Sequence, residues 1–286
     1  MKKIVVLSGK GGTGKTTLAS FLSIFLKDSI KADCDVDAPN LNLVFNANKI
    51  YEEDFYGAKI ATINYDQCIN CKLCKDYCRF GAIKEENNKI IIDDLSCEGC
   101  KACVIKCPKN AISLKAVVTG QVKYYNDFDS RFVGAKLEVG AEGSGKLVSK
   151  VKEVADKETK DEKYMIIDGS PGIGCSVIAS ITDTNYSIIV LEPTMSSIDD
   201  FKRLLKLLQN FDNKNFVVIN KCDLNEEKTN EIKLYCKEKN VDVLGQIPFD
   251  KEMVKILNND FKSVLTKEFK SKDSFINIID NLKNII

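Results

Sequence analysis

Gly9-Lys10-Gly11-Gly12-Thr13-Gly14-Lys15-Thr16 satisfies the pattern G-x-x-x-x-G-K-[ST], and its surroundings decide the fold. Residues 3–7, KIVVL, form a short, fully apolar run of the kind that makes a buried parallel strand. Residues 15–26 place Leu18, Phe21, Leu22, Phe25 and Leu26 at helical spacing. The octapeptide is therefore a loop between a strand and a helix. Its glycines let backbone N–H groups converge on phosphate oxygens without Cβ clashes, and the helix N-terminus adds the positive end of its dipole. Lys15 is placed to reach β- and γ-phosphates, and the Thr16 hydroxyl to ligate Mg²⁺. The bland alternative, a glycine-rich turn matching by chance, does not account for the strand–loop–helix context.

Outward from this loop, residues 30–32 read as a second strand ending at the acidic cluster Asp33, Asp35 and Asp37. The α/β rhythm breaks over residues 59–115, which are cysteine-rich. It resumes with a helix at 146–160, then strands at 164–167, 186–191, 216–219 and 241–247 interleaved with helices at 196–208 and 226–239. Such alternation predicts right-handed crossovers and an α/β fold: a doubly wound, mainly parallel sheet with an inserted small α+β domain. Ligands bind such sheets at the carboxyl ends of strands, where the acidic cluster, Asp168 and Asn220 fall. Residues 117–145 are the least legible; alternation in QVKYY and RFVGAKLEV predicts extra strands, arranged as a hairpin near the insert.

Composition narrows the chemistry. The 286 residues carry a formal net charge of +1, which gives no electrostatic argument for nucleic acid or an acidic membrane. Only Arg79, Arg131 and Arg203 offer guanidinium forks. No run of 18 apolar residues exists, and the apolar N-terminal run is too short for a secretion signal, so a cytoplasmic location is expected. There are 12 cysteines and no histidine. That excludes histidine-based triads and His-ligated zinc, and without an export signal the cysteines point to metal binding rather than disulfides.

The extra lysine Lys10 makes the loop GKGGTGKT, which resembles the deviant Walker A loop of the MinD/Mrp/ParA ATPase superfamily, to which the nitrogenase iron protein also belongs. The resemblance implies a P-loop ATPase that closes as an ATP-dependent homodimer, with Lys10 crossing to the partner's nucleotide. Gly9, Lys10, Gly11, Gly12, Thr13, Gly14, Lys15, Thr16 and Thr17 would bind ATP. The segment Asp33–Asn40 resembles a first switch, with Asp35 activating the attacking water and Asp33 near Mg²⁺. Residues 164–172, YMIIDGSPG, resemble the Walker B strand and second switch, with Asp168 holding Mg²⁺ and Gly172 leaving room for the γ-phosphate. Asn220 matches the position that reads adenine, and Pro248 a loop packing on the base. For Asp33 and Asp37, ordinary capping is the competing reading.

Cys68-x2-Cys71-x2-Cys74-x3-Cys78 is followed by Cys97-x2-Cys100-x2-Cys103-x3-Cys107, an offset of 29 residues at all four positions. The spacing suits [4Fe–4S] clusters, with the fourth cysteine of each run serving the other cluster. Cys68, Cys71, Cys74 and Cys107 would hold one cluster; Cys97, Cys100, Cys103 and Cys78 the other. Two structural zinc sites are the alternative. The segment resembles a complete two-cluster ferredoxin inserted in the ATPase, which would then comprise residues 1–58 and 116–286. Arg79 stands where the second run has Pro108. Cys175, seven residues after Asp168, resembles in offset a dimer-bridging cluster ligand of the nitrogenase iron protein, though no second cysteine accompanies it.

The tail carries Phe275, Ile278, Ile279, Leu282 and Ile286 at helical spacing without a basic face, predicting a helix docked on the sheet rather than a membrane anchor. Three functions follow as expectations: ATP-gated electron transfer to an unidentified redox partner, ATP-dependent assembly of a metal cofactor on a partner, or a positioning ATPase with a redox sensor. The complete set of cysteine ligands favours the first two.

Overall fold

A computed structural model of the chain describes residues 1–126, 131–259 and 261–286. The first elements are β1 (Lys2–Ser8), α1 (Lys15–Phe25), β2 (Ser29–Asp33), α2 (Leu41–Val44) and β3 (Asn48–Phe55). The cysteine-rich stretch contributes β4 (Ala58–Ile63), α3 (Leu73–Asp76), β5 (Ile83–Glu86), β6 (Lys89–Ile92), α4 (Ala102–Lys106) and β7 (Ile112–Val117). Then come β8 (Gly120–Asn126), β9 (Arg131–Leu137), α5 (Ser144–Glu158), β10 (Tyr164–Pro171), α6 (Cys175–Ile181), β11 (Tyr186–Leu191) and α7 (Met195–Leu208). The chain ends with β12 (Lys214–Asn220), α8 (Glu226–Glu238), β13 (Asp242–Ile247), α9 (Lys251–Asn259), a 3₁₀ turn (Phe261–Leu265) and α10 (Lys272–Lys283).

Two compact units result: Met1–Glu53 with Val122–Leu137 and Ser144–Ile286, and Asp54–Gln121 with Glu138–Gly143. The second is wider than residues 59–115. Within it β4 pairs antiparallel with β7 over its whole length, Ala58 opposite Val117 and Ile63 opposite Ile112.

The large unit is built on a nine-stranded sheet, in the order β13-β12-β11-β1-β10-β2-β9-β8-β3. The seven strands from β13 to β9 pair in parallel, with β1 at the centre between β10 and β11. Hence β8 and β9 extend the main sheet, β9 in parallel register with β2 (Lys31 opposite Phe132). The turn of the expected hairpin falls in residues 127–130, outside the described residues. Ile4, Val6, Leu18, Phe21, Leu22 and Phe275 belong to one buried cluster beneath α1 and α10, where the rings of Phe21 and Phe275 stack at 3.8 Å. The α10 stripe of Phe275, Ile278, Ile279 and Leu282 is buried, with Ile278 against Gly245 of β13. Among the described residues, no helix is long and apolar enough to cross a membrane.

The cysteine unit is organised differently. Its buried cluster comprises only Ala61, Ile83, Ile90, Cys103 and Ile112, with Cys74, Cys78, Cys97 and Cys107 packed partly buried against it. The sequence repeat is a structural one. Asn70, Lys72 and Gly81 have positive φ, and so do Gly99, Lys101 and Asn110, 29 positions later. The N–H of Asn64 donates to Ala111 O, and the N–H of Asp93 donates to Ala82 O, both at 2.7 Å.

Candidate functional site

The loop between β1 and α1 rises from the central strand. Gly12 and Gly14 adopt φ of +79° and +97°, and a Cβ on Gly14 would lie 2.3 Å from Asn220 Nδ2. Among the described residues, the backbone N–H groups of residues 11–14 donate to no protein acceptor, and the buried hydroxyl of Thr13 has no hydrogen-bond partner. Buried polar groups are rarely left unmade, so these unspent donors fit a phosphate chain that would accept from them.

Lys15, at the first turn of α1, is 6% exposed, with Nζ 2.6 Å from Asp168 Oδ1 and 3.6 Å from Asp35 Oδ2. Burial alone would lower its pKa; the carboxylates of Asp168 and Asp35 outweigh that and raise it, keeping the ammonium charged. The Thr16 hydroxyl donates to Asp168 Oδ2 at 2.7 Å. Asp168, at the carboxyl end of β10, thus joins both residues expected to engage phosphate and Mg²⁺. Asp35 is pushed upward by burial, partly offset by Lys15.

Asp33 is buried at the end of β2, and both its oxygens are engaged. Oδ1 accepts from the Asp35 N–H, and Oδ2 from those of Asn40 and Leu41 at the start of α2. Burial, reinforced by Asp168, pushes its pKa to about 7. In this structure Asp33 shapes the 33–41 loop, the capping role the sequence left open; Asp37 is exposed. The two switch-like segments are tied together: the Cys34 N–H donates to Asp168 O at 2.8 Å, and Ser170 Oγ donates to Cys34 O at 2.6 Å. Gly172, at φ +95°, donates its N–H to Ser8 O, and no neighbour would obstruct a Cβ there.

Lys10 Nζ lies 2.9 Å from Glu192 Oε1 and 3.2 Å from the hydroxyls of Thr194 and Ser196. Glu192 also binds Lys221 Nζ at 2.9 Å, and Lys221 donates to Gly12 O at 3.2 Å. Burial would raise the Glu192 pKa, but hydrogen bonds from Lys10 and Lys221 hold it lowered. The sequence reading missed Glu192 and Lys221. Both follow the carboxyl ends of strands, so the rule that singled out Asp168 could have found them.

A cavity beside the loop is lined by Gly12, Gly14, Thr17, Asn220, Pro248 and Phe249, among others. Thr17, Asn220 and Pro248 thus stand together. The Asn220 amide is already used, Nδ2 donating to Thr13 O at 2.8 Å and Oδ1 accepting from the Lys221 N–H. Cys175 is exposed at the start of α6, whereas Cys34 and Cys236 are buried.

In the second unit the eight cysteines enclose two separate cavities. Cys68, Cys71, Cys74 and Cys107 line one; Cys78, Cys97, Cys100 and Cys103 line the other. Each therefore takes three sulfurs from one run and the fourth from the other. The N–H of Ala111 donates to Cys107 Sγ at 3.2 Å, and that of Ala61 to Cys97 Sγ at 3.3 Å. None of the 12 cysteines is in a disulfide. Among the described residues, no three Cys, Asp or Glu side chains converge as a site for a single metal ion.

The parallel sheet and the glycine loop at its central strand define a P-loop nucleotide-binding protein. Residues 4–263 match the family model described as the CobQ/CobB/MinD/ParA nucleotide binding domain, and the chain belongs to that family. It is 34% identical to an uncharacterised protein of Methanocaldococcus jannaschii, over 99% of this chain and 97% of that one. An uncharacterised ferredoxin of the same organism is 39% identical over 59 residues, covering 19% of this chain and 77% of the ferredoxin. The septum site-determining protein MinD of Pyrococcus horikoshii, solved with Mg-ADP, shares the fold with a TM-score of 0.61 and 18% identity, covering 99% and 96% of the two chains.

Proposed function

We propose that this chain is a Mg²⁺-dependent ATPase carrying two [4Fe–4S] clusters, in which nucleotide-dependent closure of a homodimer controls electron transfer to a partner protein. The observation carrying this reading is the division of eight cysteines between two cavities in the crossed pattern of two-cluster ferredoxins. The x2, x2, x3 spacing of each run, unlike the separated C-x2-C pairs of zinc ribbons, favours clusters over zinc. When bound, the clusters supply one-electron chemistry.

The nucleotide half acts through charge. Lys15 would exchange Asp168 for the β- and γ-phosphates, and Asp168 and the Thr16 hydroxyl are the groups that would hold Mg²⁺. Asp35 orients the attacking water; a bond forms from that oxygen to the γ-phosphorus as the bond to the β–γ bridging oxygen breaks. Phosphoryl transfer depends mainly on such positioning and charge neutralisation. Lys10 leaves Glu192 to reach the partner's nucleotide, following the behaviour of the superfamily that its loop resembles.

The test is an anaerobic redox titration of the iron-loaded protein by EPR, with and without MgATP, in wild type and Lys15→Ala. The expected result is a shift in cluster potential that requires both MgATP and Lys15. Identical potentials in all four samples would remove thermodynamic coupling and move the assignment to cofactor assembly.

A further inference from the structure

From the surface around the two cysteine cavities, we infer that this face docks a small acidic electron carrier. The inference rests on the cluster reading above and names the partner's chemistry.

Ile69, Leu73, Tyr77, Phe80 and Ile105 are each at least 40% exposed, although all lie within or beside the cysteine runs. Leu73 is carried by α3 and Ile105 by α4. Helices α3 and α4 pack on each other, and Lys106 Nζ sits 4.7 Å over the Tyr77 ring, at the position 29 residues after Tyr77. Ile69 lines the first cavity and Phe80 the second, so the apolar groups extend to both mouths. Exposed apolar groups rimmed by charge mark protein interaction sites.

The rim is basic. Lys72, Lys75 and Arg79 stand against Asp76 in the first run, and Lys101, Lys106 and Lys109 against Glu98 in the second. Lys72 is spent on Glu85 at 2.6 Å. Among the described residues, Lys75, Arg79, Lys101, Lys106 and Lys109 form no ion pair. A chain of net charge +1 thus concentrates unpaired positive charge where electrons would enter or leave. Complementary charge steers encounter and suppresses wrong partners, so the occupant is acidic around its own redox centre. On docking, one electron lost by the carrier is gained by one cluster, with no bond made or broken.

The probe is a recombinant acidic flavodoxin, titrated calorimetrically against the full-length, iron-loaded protein after its iron is counted. The dissociation constant should weaken about tenfold or more between low and moderate salt, because surface charges are screened. The double variant Lys75→Glu/Lys106→Glu should weaken it about tenfold at low salt with iron content unchanged, while Lys115→Glu on β7 should not. A salt-independent constant, or an equal effect of Lys115→Glu, overturns the docking assignment with the clusters intact. Absence of iron overturns the cluster reading beneath it.

Discussion

The nucleotide unit and the cysteine unit reach their structures by opposite means. In the first, β1 is buried along Ile4, Val5, Val6 and Leu7, and α1 contributes Leu18, Phe21 and Leu22 to a core with aromatic stacking. That core is built from apolar side chains of the chain itself, and Lys15 is paired with Asp168. In the second, the largest buried groups are isoleucines, and five cysteines make up or pack against the cluster. A core this small cannot offset the entropy of ordering its chain, and small metal-bound domains draw folding energy from their ligands. The difference implies that the nucleotide unit folds on its own core, whereas the cysteine unit should depend on what it binds.

The largest effect that should separate the units comes from Cys103→Ser. Cys103 is the most buried of the eight cysteines and both a proposed ligand and a core residue. The variant should lose about half the iron, by analogy with one of two clusters, and resist protease poorly within residues 54–121. ATP binding should be retained. Loss of ATP binding as well would join the two units into one folding entity. The smaller effect concerns the other unit. Phe21→Ala removes a ring packed on Phe25, Phe261 and Phe275 and should cost about 3–5 kcal/mol in chemical denaturation. The EPR signal per iron should be unchanged.

The parts legible in the sequence were those where chemistry and backbone constraint coincide. A phosphate loop needs glycine at Gly12 and Gly14 for positive φ, and the octapeptide says so. The strand carrying Asp168 was visible because a buried parallel strand is apolar up to its functional residue. The offset of 29 residues in the cysteine runs reappears as matched left-handed positions. What the sequence hid depends on distant partners. Nothing local in RFVGAKLEV reveals that β9 pairs in parallel with β2, a strand about a hundred residues earlier. Likewise, Glu192 becomes a shared partner of Lys10 and Lys221 only once three separate strand ends are brought together. The resemblance places Asp33 near Mg²⁺; what the sequence does not show is that its carboxylate also accepts from the N–H groups of Asp35, Asn40 and Leu41.

The contrast between the two units is tested most directly by amide hydrogen exchange, measured anaerobically on iron-loaded protein and again after chelation of the iron. Amides of residues 54–121 should lose protection on chelation, while β1, β10 and β11 exchange as before. Equal protection of the cysteine unit in both samples would show that it folds without metal, and loss of protection in both units would show that they do not fold independently. Either result would contradict the division drawn between them.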